Sequence, residues 1–140
     1  MTSGFVLDNS VSIAWCFNDQ GGDYVVMVLE SLLDKEAFVP GIWPLEVTNV
    51  ISRAEKRKII QKADSERFFI LLNNLPIRII QESPQRIFRN ILDISRIYGL
   101  SSYDASYLDL AIREGLPLAT LDEKLRKAAC QAGVTIFNIN

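Results

Sequence analysis

Short apolar runs of four or five residues alternate along this chain with longer segments of helical periodicity. This alternation constrains the fold more than any other feature, because it predicts parallel strands joined by helical crossovers. The runs are mostly apolar without strict alternation, as in strands that are covered by helices on both faces. Five runs fit this strand pattern: residues 5–8, 37–40, 77–81, 117–121 and 134–138.

Seven segments have the periodicity and length of helices: residues 10–17, 22–35, 42–58, 62–74, 85–98, 102–114 and 122–132. Gly99, Gly115 and Gly133 follow the last three, where a left-handed backbone often ends a helix. With 140 residues, 49% of them hydrophobic, the chain can bury one independent core. We therefore predict a single domain over residues 1–140, of three-layer α/β/α class, with a five-stranded parallel sheet flanked by about seven helices.

The chain contains no histidine, and this excludes several kinds of chemistry. Imidazole acid–base catalysis, serine–histidine and cysteine–histidine nucleophiles and imidazole metal ligands are all ruled out. The two cysteines, Cys16 and Cys130, form no C-x-x-C pair and lie in apolar helical segments. We expect them to be reduced core thiols rather than a disulfide framework. Carboxylates, hydroxyls and amines must supply any chemistry.

The charge and hydropathy of the chain limit the partners and the cellular compartment that we expect for it. The net charge of −2 provides no global positive field, so any binding of nucleic acid must depend on local contacts. The first residues lack the basic and apolar regions of a signal peptide, and no apolar run approaches the ~18 residues that span a bilayer. We therefore expect a cytoplasmic protein with no membrane partner.

Four acidic residues are predicted to lie at the carboxyl edge of the sheet, where open α/β folds bind ligands. Asp8 ends the first strand, and Asp122 follows the fourth. Glu46 lies in the first turns of the helix after the second strand, and Asp104 lies in the first turn of the helix that leads into the fourth strand. The chain has 17 acidic residues, so chance alone would bring some of them to this edge.

Each of the four also has an ordinary structural explanation. Asp104 follows Ser101 at the spacing of a capping box. Asp122 fits the N-cap of the last helix, and Asp8 fits an Asx turn. Glu46 is the hardest to explain in this way, because it borders the apolar face of its helix and has no basic residue at the favoured spacing of three or four.

Gathering four carboxylates at one edge is costly for the fold. At ~6 Å and an effective dielectric of ~20, each pair costs about 2.8 kcal/mol. Six such pairs reach the ~5–15 kcal/mol that is the whole net stability of a domain. Protonation is one way to neutralise the charges, and a cation is another. An all-oxygen site suits Mg²⁺ or Mn²⁺ rather than zinc, and such an ion can activate water for attack on a phosphodiester.

Four segments around these residues resemble, in order and spacing, the conserved blocks of the PIN domain family, and within it the VapC ribonuclease toxins of toxin–antitoxin pairs. They read FVLDNSVSIAWCF, PLEVTNVI, LSSYDASYLDLA and LATLDEKLRKAA, the last followed by VTIF. The resemblance extends from Phe5 to Phe137. No block is specific alone, and YDA-x-Y-L-x-L-A followed by T-x-D is the most characteristic.

The resemblance implies a role for each matching residue. Asp8 and Asp104 correspond to the principal metal ligands, while Glu46 and Asp122 complete the acidic pocket through water or on a second metal. A second group consists of the polar residues expected to hydrogen-bond around them: Ser10, Asn49 and Thr120. The family further implies a Mg²⁺- or Mn²⁺-dependent endoribonuclease that leaves 3′-hydroxyl and 5′-phosphate ends, a homodimer with two sites along one groove, and a cognate antitoxin whose tail blocks that groove.

A basic cluster near the end of the helix that carries Glu46 has the chemistry to contact RNA phosphates. It consists of Arg53, Lys56, Arg57, Lys58 and Lys62. Basic residues at a helix C-terminus also complement the macrodipole, which accounts for the cluster without RNA. Asp109, five positions after Asp104, falls on another face of its helix, and we expect it to be solvent-exposed or a minor polar contact.

Three other functions fit parts of the sequence. Residues 8–12 read D-x-S-x-S, the signature of metal-dependent adhesion modules, but that function leaves Glu46, Asp104 and Asp122 unexplained. A phosphoacceptor switch of the receiver type needs an aspartate after the third strand, where the chain has Gln81. A catalytically silent PIN scaffold is the third alternative, although all four acidic positions are filled.

Overall fold

In the computed structural model, which describes residues 4–17 and 21–138, four parallel strands form one sheet in the order β3-β2-β1-β4. The strands are β1 (Gly4–Leu7), β2 (Glu36–Pro40), β3 (Ile77–Ile80) and β4 (Leu118–Ala119). In the central strand β1, Phe5, Val6 and Leu7 are all fully buried. Successive side chains of a strand point to opposite faces, so helices must cover both faces of the sheet. The predicted parallel α/β fold is confirmed.

The described residues form eight α-helices and one π-helical turn. They are α1 (Asn9–Ala14), α2 (Gly22–Ser31), α3 (Trp43–Lys56), α4 (Lys62–Asn73), α5 (Pro84–Arg86), the π-helical turn Ile87–Ile91, α6 (Leu92–Tyr98), α7 (Ser102–Glu114) and α8 (Glu123–Gln131). Residues 84–98 are helical without a break, so these elements make seven separate helical segments, as predicted. None of the helices in the described part of the chain combines the length and the hydropathy needed to cross a membrane.

The prediction of a fifth strand at residues 134–138 is wrong. Residues 134–138 meet β4 at a single parallel bridge, between Leu118 and Ile136. The ladder cannot extend further because β4 itself ends at Ala119, where the chain turns toward the start of α8. The segment still contributes to the core through Phe137, which is buried. The sheet therefore has four strands, with a fifth segment that touches its edge at one point.

Two helices end earlier than predicted, and the others agree with prediction to within two residues. Helix α1 stops at Ala14 and α2 at Ser31, three and four residues before the predicted ends. The next three residues, 32–34, donate their backbone N–H groups three residues back instead of four, as in Leu33 N–H to Glu30 O at 3.1 Å. Such 3₁₀-type turns continue the helical path without extending the α-helix. Gly99 and Gly115 end α6 and α7 with left-handed φ angles of 66°, as predicted.

The two cysteines differ in their exposure to solvent. Cys16 is partly buried, but Cys130 is exposed on α8, so the prediction of a core thiol is wrong for Cys130. The hydrophobic side of α8 is occupied by Leu125, Ala128 and Ala129, which leaves Cys130 facing outward.

Residues 1–3, 18–20 and 139–140 of the predicted domain lie outside the described residues.

Candidate active site

Asp8 is the most deeply buried of the four predicted carboxylates. It follows β1, is 5% exposed and caps the short helix α1. Its Oδ2 accepts hydrogen bonds from the hydroxyls of Ser10 at 2.6 Å and Thr120 at 2.8 Å, and from the Ser10 N–H at 3.4 Å. Among the described residues no further group bonds to this carboxylate, so Oδ1 has no protein donor. Burial raises the pKa of Asp8, and the hydrogen bonds oppose that rise.

The two hydroxyls that hold Asp8 are themselves oriented by backbone amides. Ser10 Oγ accepts a hydrogen bond from the Leu121 N–H, and Thr120 Oγ1 accepts one from the Asp122 N–H, both at 3.0 Å. Because a hydroxyl carries a single proton, accepting from the backbone leaves that proton free for Asp8. The loop after β4 therefore fixes the orientation of a carboxylate at the end of β1. Ser10 and Thr120 thus both hydrogen-bond to Asp8, and their role around a metal stays a prediction.

Glu46 has a partner that sequence reasoning missed. The Tyr107 hydroxyl donates a hydrogen bond of 2.6 Å to Glu46 Oε1, and Tyr107 is fully buried on α7. Burial raises the pKa of Tyr107, and the charge of Glu46 raises it further, so the phenol stays a proton donor. Burial also raises the pKa of Glu46, as do the charges of Asp8 and Asp104, while the tyrosine bond lowers it. A tyrosine on a buried helix face was the available signal, since its hydroxyl needs a partner.

Asp104 makes only half of the predicted capping box. Its backbone N–H donates to Ser101 Oγ at 3.1 Å, but among the described residues its carboxylate accepts no hydrogen bond and forms no salt bridge. Burial raises the pKa of Asp104 to about 6, and the charges of Asp8 and Asp122 add to the rise while Lys124 opposes it. Helix capping therefore does not account for this side chain.

Asp122 combines a structural position with membership of the acidic cluster. As the N-cap of α8, its Oδ1 accepts hydrogen bonds from the N–H groups of Lys124 at 2.9 Å and Leu125 at 3.1 Å. Its negative charge nevertheless raises the pKa values of both Asp8 and Asp104. The N-cap predicted from the sequence is correct, and it does not remove Asp122 from the site.

All four carboxylates lie at or near the N-terminal end of a helix: Asp8 at α1, Glu46 at α3, Asp104 at α7 and Asp122 at α8. The positive end of a helix dipole stabilises an anion by about 0.3–1 kcal/mol. Burial and neighbouring acids nevertheless raise the pKa values of Asp8, Glu46 and Asp104. Within the described residues none of the four pairs with a lysine or arginine. The cluster therefore keeps an excess of negative charge.

The chemistry of this donor set fits a hard divalent cation. Carboxylates with an uncommitted oxygen, such as Asp8 Oδ1 and the Asp104 carboxylate, are the ligands that Mg²⁺ and Mn²⁺ prefer. In the described ranges, no three acidic or cysteine side chains form a ready-made ligand set for a metal ion. Mg²⁺ usually binds through one or two carboxylates and keeps several of its waters, so two protein ligands suffice.

Four other predicted site residues form no hydrogen bond or salt bridge with the four carboxylates within the described chain. Asn49 is exposed on α3 and forms no side-chain hydrogen bond with a described residue. Arg53, Lys56 and Arg57 are exposed at the end of the same helix and form no salt bridges within the described chain. Arg53 lies seven residues beyond Glu46, about 10 Å along the helix axis. Their contact with RNA stays a prediction.

Asp109 is neither solvent-exposed nor a minor polar contact, so both alternatives predicted for it are wrong. It is 4% exposed, and both of its carboxylate oxygens accept hydrogen bonds of 2.8 Å from Arg86 Nη2. Arg86 Nε also donates to Glu82 at 2.7 Å, and Arg113 pairs with the same glutamate. Asp109 does lie on a different face of α7 from Asp104, but that face packs against the segment that supplies Arg86.

The structure also bears on the adhesion-type alternative, because the second serine of its D-x-S-x-S signature is Ser12. Ser12 is fully buried; its hydroxyl donates to Asn9 O at 3.2 Å and accepts a hydrogen bond of 2.9 Å from the Trp43 indole. This hydroxyl therefore connects α1 to α3 and is not available to a ligand beside Asp8. The second serine of the motif has a packing function here.

Comparison with known proteins adds to this geometry. The model of the PIN domain family matches residues 5–130. No curated protein sequence matches the chain significantly. Similar solved structures include PAE2754 from Pyrobaculum aerophilum, with a TM-score of 0.69 and 19% identity over 91% of this chain and 79% of that one.

Two further similar structures come from bacteria. A toxin–antitoxin complex from Klebsiella pneumoniae contains a chain with a TM-score of 0.66 and 24% identity, covering 96% of this chain and 99% of that one. VapBC2 from Rickettsia felis, bound to a DNA fragment from its promoter, gives a TM-score of 0.67 and 16% identity, covering 98% and 99%. At these identities the likeness establishes a shared fold.

Proposed function

This chain belongs to the PIN domain family, and from that premise we propose that it is a Mg²⁺- or Mn²⁺-dependent endoribonuclease that acts in the cytoplasm as the toxin of a toxin–antitoxin pair. The observation that most supports this activity is the environment of the Asp104 carboxylate. Its carboxylate forms no hydrogen bond or salt bridge with a described residue, and its pKa is raised to about 6 by burial and by neighbouring acids. A perturbed acid of this kind at the ligand-binding edge is typical of a functional site.

The four carboxylates have different proposed tasks, and Asp122 would complete the acidic pocket through water or on a second metal. Asp8 and Asp104 would hold the ion, which when bound clamps phosphate oxygens and activates water. Ser10 and Thr120 keep Asp8 Oδ2 occupied, so that Oδ1 is the oxygen offered to the ion. Glu46, whose pKa is raised, can accept a proton from the attacking water. Tyr107 donates a hydrogen bond to Glu46 Oε1 and so holds that side chain in place. Water attack then leaves a 3′-hydroxyl and a 5′-phosphate.

The toxin role rests on the structural neighbours. Proteins of the same fold include a toxin–antitoxin complex and a VapBC pair bound to promoter DNA. We propose by analogy that this chain forms a homodimer, that a cognate antitoxin protein blocks its active site, and that Arg53, Lys56 and Arg57 contact the RNA backbone. Contacts of these basic side chains with phosphates are electrostatic and carry no sequence information in themselves.

The activity is tested with purified protein that is free of bound inhibitor and has been treated with EDTA. We expect cleavage of labelled RNA only after Mg²⁺ or Mn²⁺ is returned, with 5′-phosphates that a phosphate-dependent exonuclease recognises. Absence of cleavage with both metals would instead indicate a silent scaffold. Growth arrest on expression in a bacterial host, lost in the Asp104→Asn variant, tests the toxin role separately.

A further inference from the structure

A cavity of about 310 Å³ lies beside the acidic cluster, at the same carboxyl edge of the sheet. Residues at the ends of β2 and β3 line one side, and α7 and the helical segment 84–98 line the other. The lining residues that bear on its function are Gly41, Gln81, Ile87, Ile91, Tyr103 and Ser106. None of the four clustered carboxylates is among its walls. The volume is at the lower end of the ~300–1,000 Å³ that small-molecule pockets occupy.

Helix α7 joins this cavity to the acidic cluster. Tyr103 and Ser106 line the cavity, whereas Asp104, between them in sequence, and Tyr107 belong to the cluster. At 3.6 residues per turn these residues occupy neighbouring faces of the first turns of one helix. The two spaces therefore adjoin the same turns of α7, a helix about 10 Å in diameter. One nucleotide bridges such a gap between its phosphate and its base.

The cavity is electrostatically unlike the cluster. Two carboxylates in its wall, Glu82 and Asp109, are paired with two arginines, Arg86 and Arg113. The charges balance, so the cavity does not repel an anionic ligand in the way that the unpaired cluster does. Apolar side chains, including Ile87 and Ile91, supply much of the remaining wall. Such a surface suits a flat, largely apolar ring.

Two side chains give the cavity the means to recognise such a ring. Tyr103 is 57% exposed, so its aromatic face is available for stacking. Gln81 is exposed and its amide has no hydrogen bond within the described chain. A Cβ added at Gly41 would lie 2.5 Å from Gln81 Oε1, so the amide rests directly against the glycine. An amide offers donors and an acceptor together, which is how side chains read the edges of bases.

We propose that this cavity binds one base of a single-stranded RNA, next to the phosphate that is cleaved, with Tyr103 stacking on the base and Gln81 bonding to its edge. The inference rests on the proposed ribonuclease activity and adds a base preference to it. An unpaired base fits because it can leave its stack and present its edges, as bases in RNA loops and single strands do.

The first experiment maps the cleavage sites in a random-sequence RNA pool. We expect the wild type to favour one base beside the cut, and Gln81→Ala to reduce that preference by about tenfold. Tyr103→Ala should raise KM by about tenfold, with a smaller change in kcat. Gly41→Ala should reproduce the Gln81→Ala result, because the new methyl group displaces the amide. Gln131→Ala, a matched change on an exposed residue of α8, should leave the profile unchanged.

A second measurement separates this inference from the activity itself. The full-length Asp104→Asn variant is titrated with the four nucleoside 5′-monophosphates, and binding is followed by amide NMR shifts. Shifts at Gln81, Tyr103 and Ser106 that differ between bases support the cavity even if no RNA is cleaved, in which case only the proposed activity fails. Cleavage without base preference, together with no shift at the cavity, overturns the inference and leaves the nuclease standing. Variants that change only self-association or capture of a protein partner also overturn it, because the cavity would then hold a protein side chain.

Discussion

Two aspartates five residues apart on α7 have opposite environments. Asp109 is buried, and both of its oxygens are bonded to Arg86. Asp104 is half-buried, feels the charges of Asp8 and Asp122, and its carboxylate forms neither a salt bridge nor a hydrogen bond with a described residue. The fold neutralises one carboxylate internally and leaves the other to be neutralised by a proton or a ligand. The contrast separates an aspartate that stabilises the structure from one that is maintained at a cost in stability.

The strongest test of this contrast is the Asp104→Asn variant. We expect cleavage to fall on the order of 10²–10³-fold, as when one electrostatic contributor to a transition state is removed. Because the change also removes repulsion, the free energy of unfolding should stay the same or rise by up to about 1 kcal/mol. Urea denaturation and initial cleavage rates measure the two effects. Asp93→Asn, in an exposed pair with Arg96, is the matched control and should change neither.

Asp109→Asn should have the reverse effect on stability. It leaves Arg86 without its main partner, and we expect a loss of about 2 kcal/mol, below the 3–5 kcal/mol of a fully buried pair because Arg86 is partly exposed and keeps Glu82. Urea denaturation measures the loss. A double variant, Arg86→Met with Asp109→Leu, should recover most of it, since no unpaired charge remains. An Asp109→Asn protein as stable as the wild type would contradict the structural role.

The Tyr107→Phe variant tests whether cleavage depends on the hydrogen bond to Glu46 as well as on the charges of the carboxylates. The change removes the hydroxyl that holds Glu46 and should lower the cleavage rate by about tenfold, with a loss of stability near 1 kcal/mol. If the tyrosine acts through Glu46, the same change made in the Glu46→Gln background should have little further effect on the rate. Additive losses in the double variant would show that the two residues act independently.

The smallest effect expected is a metal-dependent shift in thermal stability that varies with pH. The folded pKa of Asp104, about 6, lies above its ordinary value of 3.8, so the folded state binds this proton more tightly than the unfolded state does. Stability from this group is present at low pH and is lost as the pH rises through about 4 to 6. Millimolar Mg²⁺ should therefore raise Tm at about pH 7.5 and have little effect at about pH 5. In the Asp104→Asn variant, the rise in Tm that Mg²⁺ causes should depend much less on pH.

Much of the fold and part of the site follow from local sequence patterns. Helices such as α7 were predicted to the residue because their periodicity and their terminal glycine agree. The positions of Asp8 and Asp122 were predictable because parallel strands bring their carboxyl ends to one edge. The predicted strand at 134–138 failed because a strand also needs a partner of adequate length, and β4 has only two residues. Pairing is a property of two segments, which no single segment reveals.

The sequence by itself determined the parallel α/β class, excluded imidazole chemistry and predicted which acidic residues meet at one edge of the sheet, because these depend on periodicity, composition and order along the chain. Only the tertiary structure decided which charges are paired. Arg86 reaches Asp109 across 23 residues, and Tyr107 reaches Glu46 across 61. Such contacts depend on how helices pack and which rotamers fit between them, and spacing along the chain carries no record of either. For that reason two aspartates on one helix, alike in sequence, differ in what they do.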